Sequence, residues 1–410
     1  MPNPYCNPSE LAHLATRRNE SLFQKDMALN MSNLSDEIRG KRILIIGGAG
    51  SIGSAVVESL CDYQPSALHV LDFSENNLVE LVRTLRSRQK GLSVANFKTL
   101  PLDIGSTASE HFLNDADNYD AILNFAALKH VRSEKDCYSL LQMLDTNIHK
   151  QAWLLKWMQE SNFTGRYFCV STDKAANPVS LMGASKRVME HIMFSGIIAQ
   201  EPRCKINSAR FANVAFSNGS LLQGFLYRIN KRQPIAVPKD TLRYFVSHQE
   251  ASEICLLAAF SSPHKTIAIP KLDAQNDAVA LIDVSFATLK HFGLSPKYFS
   301  DESEARCEVE NCIAKGLYPV VLSERDTSGE KDIEIFAGEN EQLVDLGIPN
   351  LQGVQYSKCD ISKLSNFLKL IESAIIGRQR ISVAELLDGI KTVEPSFNHT
   401  FTGKSLDDRM

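Results

Sequence analysis

The stretch KRILIIGGAGSIG (Lys41–Gly53) decides the fold of this chain of 410 residues. Its first part, KRILIIGG, is short, continuously apolar and ends in glycine, which is typical of a buried strand. The residues SIGSAVVESLCDY then predict a helix, and ALHVLDF predicts a second strand. Strand, helix and strand within about thirty residues indicate a βαβ unit.

The alternation of strands and helices continues beyond this unit. Further strands are predicted in NFKTLPLD, DAILNFAAL, GRYFCVSTDK and CKINSARFANVAF, and further helices in TNIHKQAWLLKWMQESN and MGASKRVMEHIMFSGIIAQ. Such alternation predicts an α/β fold with a doubly wound parallel sheet of the Rossmann type. In such a sheet, ligands bind at the carboxyl ends of the strands.

Four segments are predicted along the chain. Residues 1–40 form a helical leader that packs on the body or on a partner subunit, and residues 41–218 form the Rossmann domain. The pattern becomes less regular from about Gly219, which places a smaller substrate-binding region at 219–300 and a C-terminal extension at 301–410.

Composition excludes several classes of partner. A formal net charge of −4 argues against nucleic acid, whose binding needs a basic surface. The N-terminus lacks the pattern of a signal peptide, and no apolar run approaches the ~20 residues of a membrane span, so we expect a cytoplasmic protein without a membrane partner.

The cysteines indicate neither disulfides nor a metal site. Their number, nine, is odd, and no C-x-x-C pair occurs. Cys307 and Cys312 have no nearby histidine that would complete a zinc site. We therefore expect reduced thiols and no bound metal.

The glycines of the opening stretch predict a dinucleotide site. Gly47 permits a tight turn, Gly50 lets the backbone approach a pyrophosphate, and Gly53 lets helix and strand pack closely. Ser51 and Ile52 open the helix, whose N-terminus offers N–H groups and a positive dipole to phosphates. The alternative is a glycine-rich turn that binds nothing.

Residues at the ends of the next strands extend this cofactor prediction. Asp72, 19 residues after Gly53, is placed to accept hydrogen bonds from ribose hydroxyls, which favours NAD over NADP. Asp103 either faces the adenine or caps a helix. Ala126 and Ala127 follow strand four, where small residues let the chain run close to the cofactor.

The G-x-x-G-x-x-G spacing resembles the extended short-chain dehydrogenase/reductase superfamily. Further motifs resemble its polysaccharide-biosynthesis branch of nucleotide-sugar 4,6-dehydratases that act on UDP-N-acetylglucosamine. The likeness runs from about Lys41 to Glu253, and its motifs are Asp72–Leu78, Ala126–Val131, Ser171–Pro178, Leu181–Arg187, Arg210–Val214 and Arg243–Phe245. Three later strings, Glu304–Arg306, Tyr318–Pro319 and Asp326–Lys331, resemble members that feed legionaminic acid synthesis.

One position departs from the superfamily pattern. Most members carry Tyr-x-x-x-Lys on the active-site helix, whereas here Met182 stands four residues before Lys186, on the same helical face. A thioether cannot exchange a proton. The chain is then either an inactive NAD-binding scaffold or, as the resemblance implies, a dehydratase that retains the C5 configuration, because such members carry methionine there.

The resemblance implies that hydride moves from C4 of the sugar to NAD, a proton leaves C5, water is lost and hydride returns to C6. Asp173 would be the acid at O6 and, directly or through Thr172 or a water, the acceptor of the O4 proton. Lys174 would replace a glutamate as the C5 base, which requires that burial or a cation such as Lys186 or Lys129 lowers its pKa. The alternative for Asp173 and Lys174 is a surface ion pair.

Further residues are predicted to hold the cofactor or the sugar nucleotide. Lys186 would hydrogen-bond the nicotinamide ribose. Lys129 and Glu134 would meet the sugar or its phosphates, and Asn147 would orient the active-site helix or a water, or cap a helix. Asn213 would lie near the diphosphate.

Arg243 would pair with a phosphate, or else form a structural ion pair.

A UDP-sugar 4-epimerase is the main enzymatic alternative, although it needs no C5 base and usually keeps the tyrosine. A homo-oligomer is expected from the resemblance alone.

Overall fold

The computed structural model describes residues 10–129, 136–198, 203–323, 331 and 333–399. The strands of this part of the chain are β1 (Arg42–Ile46), β2 (Ala67–Leu71), β3 (Asn96–Leu100), β4 (Ala121–Asn124), β5 (Arg166–Val170), β6 (Lys205–Ala209), β7 (Asn213–Val214), β8 (Ile235–Pro238), β9 (Leu242–Val246), β10 (Thr266–Pro270), β11 (Ala278–Ala280), β12 (Ser295–Phe299), β13 (Leu317–Ser323), β14 (Gln342–Asp345) and β15 (Leu351–Gln355).

The largest sheet has the order β3-β2-β1-β4-β5-β6-β10-β15-β14. The strands from β3 to β10 are all parallel, with Ile43 of β1 between Leu68 of β2 and Ala121 of β4. The strand β15 is antiparallel to β10, and β14 is antiparallel to β15. The order 3-2-1-4-5-6 is that of a doubly wound dinucleotide-binding sheet, so the predicted α/β Rossmann fold is confirmed.

Helices pack on the large sheet and on the two small sheets. They are α1 (Ala12–Thr16), α2 (Gln24–Leu29), α3 (Met31–Ile38), α4 (Ser51–Asp62), α5 (Glu75–Ser87), α6 (Thr107–Asp115), α7 (Cys137–Leu144), α8 (Lys150–Glu160), α9 (Leu181–Phe194), α10 (Leu221–Asn230), α11 (His248–Leu256), α12 (Ala274–Asp277), α13 (Leu281–His291), α14 (Glu302–Cys307), α15 (Val309–Ile313), α16 (Ile361–Ile375) and α17 (Val383–Val393). A π-helical turn, Asp145–His149, joins α7 to α8. None of the helices within the described ranges is both long and apolar enough to cross a bilayer.

The predicted sixth strand, CKINSARFANVAF, is split in the structure. Its first part is β6 of the large sheet, whereas β7 pairs with β9 in a small sheet of order β11-β9-β7. The break falls at Arg210, because its side chain is fully buried and paired with acids on other elements. A second small sheet, β12-β13-β8, has its own apolar core, which includes Ile235 and Val320.

Residues after 301 contribute to the main body. The strands β14 and β15 extend the large sheet, and β13 lies in a small sheet. The helices α16 and α17 pack on α9, with Leu364, Ile371 and Ile390 fully buried in the main core. These long-range contacts position chain segments from the C-terminal region beside the carboxyl edge of the parallel strands.

A buried charge cluster connects these elements. Arg210 of the β6 end donates two hydrogen bonds to Glu190 of α9, of 2.8 and 2.6 Å, and two to Glu341, of 2.5 and 2.8 Å. Arg187 donates to Glu190, Glu341 and Glu394, at 3.1, 2.5 and 2.9 Å. Burial alone would raise the pKa of Glu341, but hydrogen bonds from Arg210 and the two guanidinium charges hold it at about 2.

The cluster predicts that two arginine substitutions lower the free energy of unfolding by very different amounts. Arg210→Ala leaves Glu190 and Glu341 buried without their main cation, so the free energy of unfolding should fall by about 3–5 kcal/mol. Arg232→Ala, the control, removes an ion pair with Glu310 whose side chains are 47% and 67% exposed, and should cost about 0–1 kcal/mol. Urea denaturation measures both; equal losses would contradict a dominant role for the cluster.

Candidate active site

The glycine-rich turn brings β1 and β4 close together. Gly47 has a φ of +70°, and a Cβ there would lie 2.5 Å from the backbone nitrogen of Ala126. A Cβ on Gly53 would lie 2.4 Å from the carbonyl oxygen of Gly47. A Cβ on Gly50 would meet only that same oxygen, at 3.5 Å. The turn is therefore tight behind Gly47 and Gly53 and open beside Gly50, as a pyrophosphate requires.

The helix that follows offers N–H groups at this open side. Gly50 occupies the N-cap of α4 and has no side chain that could accept hydrogen bonds from these N–H groups. The hydroxyl of Ser51 accepts a hydrogen bond from the backbone nitrogen of Asn218, at 2.9 Å. Asn218 therefore lies against the first residue of α4.

Asp72 holds the turn from the end of β2. Its buried carboxylate accepts hydrogen bonds from the backbone nitrogens of Ala49, at 3.0 Å, and Ser74, at 2.9 Å. Each carboxylate oxygen keeps acceptor capacity for a ligand hydroxyl. These two hydrogen bonds hold the glycine turn in place. The hydrogen bonds from ribose hydroxyls to Asp72 stay a prediction.

Asp103 is not a helix cap. Ser106, three residues later, caps α6 by accepting from the backbone nitrogen of Ser109. The carboxylate of Asp103 accepts a hydrogen bond from Lys150, at 2.6 Å. The capping interpretation is therefore wrong, and the adenine contact stays a prediction.

The segment after β4 is held by buried amides. The backbone nitrogen of Ala126 donates to the side chain of Asn124, and Ala127 follows in the same extended segment. Asn147, within the π-helical turn, exchanges two 2.9 Å hydrogen bonds with the backbone of Leu128 and donates a third to the hydroxyl of Ser185. Its amide thus joins the β4 loop to α9, which favours the orienting role over a helix cap.

The turn that follows β5 packs directly on α9. Thr172 caps a short 3-10 turn, Asp173–Ala175, and a Cβ on Gly183 would lie 2.4 Å from the carbonyl oxygen of Lys174. Gly183 is the third residue of α9, and Lys186 follows it by three positions. The absence of a side chain at Gly183 lets Asp173 and Lys174 approach the helix that carries Met182 and Lys186.

Asp173 is a buried acid with one oxygen free to accept a hydrogen bond. Its side chain is 2% exposed. Oδ1 accepts from the hydroxyl of Thr172, at 2.7 Å, and from the ammonium of Lys174, at 3.4 Å. Oδ2 accepts no hydrogen bond from the residues that the structure describes. The surface ion pair considered above is therefore not what forms here.

Lys174 lies between two carboxylates. Its Nζ is 3.4 Å from Oδ1 of Asp173 and 3.4 Å from Oε1 of Glu334. Burial lowers the pKa of Lys174 and so does Arg243, but the two carboxylates outweigh them and the pKa is raised. The condition given above for Lys174 as the C5 base, a lowered pKa, is therefore not met, because the second carboxylate was not anticipated.

That carboxylate comes from a segment that we call the covering segment, defined as Lys331 and residues 333–341. Lys331 donates to the carbonyl oxygen of Ala176, at 2.8 Å, and Arg210 donates to that of Phe336, at 3.1 Å. Glu334 is therefore held against the 3-10 turn. Nothing in the sequence separates it from the other acids of KDIEIFAGENE, so sequence reasoning missed it.

Lys186 is buried without a carboxylate partner. Its ammonium donates to the sulfur of Met189, at 3.2 Å, and to no oxygen within the described ranges. A thioether is a weak acceptor, and burial lowers the pKa of Lys186. Met182 is also buried, at the tyrosine position of the motif. Such an ammonium is suited to bind the hydroxyls of a ligand.

The residues predicted for the nucleotide end lie on and beside the small sheet. The amide of Asn213 in β7 donates to the carbonyl oxygen of Tyr244, at 3.4 Å. Arg243 in β9 donates to the carbonyl oxygens of Leu242 and Lys331, at 2.8 and 3.1 Å. Arg243 thus also holds the covering segment in place.

Two further predicted residues follow β4. Lys129 is exposed at the edge of the described chain. Glu134 lies outside the described residues. Within the described residues, Lys129 makes no hydrogen bond or ion pair with Asp173 or Lys174.

Comparison with known families agrees with this geometry. Residues 43–312 match the family described as polysaccharide biosynthesis protein. The chain belongs to this family. The match covers the whole parallel sheet and the Asp173–Lys174 turn, so the polysaccharide-biosynthesis resemblance is confirmed at the level of the family.

Several curated proteins are similar to this chain in sequence. An uncharacterized membrane protein of Methanocaldococcus jannaschii is 29% identical over 65% of this chain and 75% of its own length. A UDP-N-acetylglucosamine 4,6-dehydratase (inverting) of Campylobacter jejuni is 29% identical over 57% of this chain and 67% of its own. The capsular polysaccharide biosynthesis protein CapD of Staphylococcus aureus is 29% identical over 58% of this chain, and the chain spans only 39% of that relative.

Solved structures share the fold. Pen from Bacillus thuringiensis aligns with a TM-score of 0.63 and 21% identity, over 82% of this chain and 98% of that one. A UDP-N-acetylglucosamine 4-epimerase from Methanobrevibacter ruminantium, in complex with UDP-N-acetylmuramic acid, aligns with a TM-score of 0.53 and 15% identity, over 83% and 100%. At these identities the likeness shows the fold alone.

The contact between Gly183 and Lys174 predicts opposite results for two helix glycines. Gly183→Ala should lower the free energy of unfolding by about 1–3 kcal/mol, because the new methyl group overlaps the Lys174 carbonyl. Gly224→Ala, the control, places a methyl group in open space on α10 and should raise it by up to about 1 kcal/mol. Thermal and urea denaturation report both, and a stabilising Gly183→Ala would refute the packing described for this turn.

Proposed function

We propose that this protein is an NAD-dependent UDP-N-acetylglucosamine 4,6-dehydratase that retains the C5 configuration. The observation that carries the proposal is the pair of buried Asp173 and half-buried Lys174 packed against α9, on which Met182 replaces the usual tyrosine. A sugar dehydratase needs a proton donor and acceptors at a dry site, and this turn provides them. The Campylobacter jejuni relative, named for the inverting reaction on the same sugar, supports the substrate class.

The residues of the site fit NAD. The turn is open beside Gly50, the N-terminus of α4 is uncapped, and Asp72 stands at the end of β2 where it favours an unphosphorylated ribose. The ammonium of Lys186 lacks an oxygen acceptor that a ribose hydroxyl would supply. When bound, NAD would supply the redox chemistry, taking hydride from C4 and returning it to C6.

The chain's own residues then move the protons. Asp173 accepts the O4 proton on its open oxygen or through Thr172, whose hydroxyl lies 2.7 Å from Oδ1. The same carboxyl group can deliver that proton to the departing 6-hydroxyl. One carboxyl group therefore serves two steps, and its protonation state is the same before the first step and after the second.

Asn213 and Arg243 would meet the UDP end of the substrate, and both lie on strands of the small sheet β11-β9-β7. The later strings, from Glu304 to Lys331, support a place among the enzymes that feed legionaminic acid synthesis. Self-association stays a prediction from the resemblance.

The proposal predicts a defined product from one incubation. The purified protein with UDP-N-acetylglucosamine and NAD in deuterated water should give a 4-keto-6-deoxy sugar nucleotide, with deuterium at C5 and the D-configuration, by NMR. An L-configured product would keep the dehydratase and reject retention. A C4-epimerised sugar that keeps its 6-hydroxyl would instead establish the epimerase, and no product with NAD bound would indicate a scaffold.

The burial of the Lys186 ammonium predicts that one substitution raises the stability of the protein and weakens its binding of NAD. Burial lowers its pKa, so the protonated form disfavours the folded state at neutral pH, and this cost shrinks as pH rises toward the pKa of an unfolded lysine. Lys186→Met should therefore raise the free energy of unfolding of the NAD-free protein at neutral pH. The same variant should weaken NAD binding about tenfold or more, or about 1.4 kcal/mol.

The matched control is Lys156→Met, since the Lys156 side chain on α8 is 68% exposed. It should change neither urea stability nor the NAD affinity measured by calorimetry. Unchanged NAD affinity in Lys186→Met would count against the cofactor role of Lys186, and loss of stability would count against the predicted cost of burying its ammonium.

A further inference from the structure

The site contains a second buried acid that the reaction above does not use. Glu334 of the covering segment is 3% exposed, although it lies more than 150 residues along the chain from Asp173. Acidic side chains are rarely buried to this extent unless they are fully paired. Here one oxygen, Oε2, accepts no hydrogen bond within the described ranges.

The contacts of Glu334 place it in the same cluster as Asp173. Oε1 lies 3.4 Å from the ammonium of Lys174, which is itself 3.4 Å from Asp173. Oε2 lies 3.7 Å from the ammonium of Lys331, beyond hydrogen-bond distance. Two buried carboxylates thus flank one ammonium, and each keeps an oxygen that accepts no hydrogen bond.

Lys174 is poorly suited to remove a proton in this arrangement. The neighbouring carboxylates raise its pKa, so the side chain remains an ammonium at neutral pH and has no lone pair for a proton. A different acceptor is therefore needed for the C5 proton. Asp173 is already occupied, since it holds the proton that leaves O4 until the 6-hydroxyl departs.

We propose that Glu334 is the base that removes the C5 proton, an inference that rests on the proposed dehydratase function. The covering segment then supplies, from the C-terminal third of the chain, the carboxylate that the motif position of Lys174 lacks. Lys174 is a positioning residue that holds the two carboxylates apart and stabilises their charge.

The proton and electron balance closes with these groups. Once C4 is a ketone, Glu334 takes the C5 proton and the C–H electron pair forms the enolate. That pair then forms the C5–C6 double bond as the 6-hydroxyl leaves with the proton from Asp173 as water. Bound NAD would supply the hydride that C6 receives, and Glu334 gives a proton back to C5.

Incorporation of deuterium at C5 tests this assignment, with the enzyme incubated with NAD and UDP-N-acetylglucosamine in deuterated water. Glu334→Gln keeps the shape of the side chain but removes the base, so formation of the 6-deoxy product and deuterium incorporation at C5 should both fall about 100-fold or more. Oxidation at C4 precedes the step that Glu334 performs. The variant should therefore still develop NADH absorbance when substrate is added.

Two variants separate a chemical role from a structural one. Glu339→Gln makes the same change at an exposed position of the same segment and should leave turnover within about twofold of wild type. Glu334→Asp restores a carboxylate and should recover part of the activity that Glu334→Gln loses. Circular dichroism and thermal denaturation establish that each variant is folded.

The outcomes separate the two proposals. Product formation and C5 deuteration by Glu334→Gln at near wild-type rates would overturn the assignment and leave the dehydratase intact. If Glu334→Gln forms neither NADH nor product, and Glu334→Asp restores neither, then the role of Glu334 is purely structural. Absence of a dehydrated product from the wild-type enzyme would reject the proposed function itself, and the base assignment with it.

Discussion

The salt bridge between Arg210, at the end of β6, and Glu190 of α9 is the interaction around which the rest of the structure is arranged. Both side chains are fully excluded from solvent. Removing two charges from water is costly, and the attraction between them offsets that cost only when the geometry is good and other polar groups complete the set. Ser171, Arg187 and Glu341 complete it here. The pair therefore constrains where the sheet, the active-site helix and the covering segment can lie relative to one another.

Two lysines on neighbouring elements show how that constraint shapes the chemistry. Lys174 meets two carboxylates and its pKa is raised, whereas Lys186 meets a thioether and its pKa is lowered. Burial acts on both in the same direction, so the difference comes from the charges that the fold places nearby. The same side chain type therefore forms ion pairs in one place and, within the described residues, lacks a carboxylate partner in the other.

Local sequence patterns were sufficient for the sheet and for the glycine turn. The apolar run before Gly47, the spacing to Gly53 and the acid at Asp72 each report a short-range requirement of the backbone, so they can be read in one sequence. The pKa of Lys174 could not be predicted in this way. It depends on Glu334, which reaches the site through contacts across more than a hundred residues and carries no local signal.

The position of the covering segment in the chain has a consequence for biogenesis. Translation proceeds from the N-terminus, and domains begin to fold as they emerge. The glycine turn, Asp173 and Lys186 are complete once Arg210 has been synthesised, whereas Glu341 joins Arg210 only 131 residues later. A nascent chain would thus complete its glycine turn early, whereas its buried ion-pair cluster can close only after Glu341 has been synthesised.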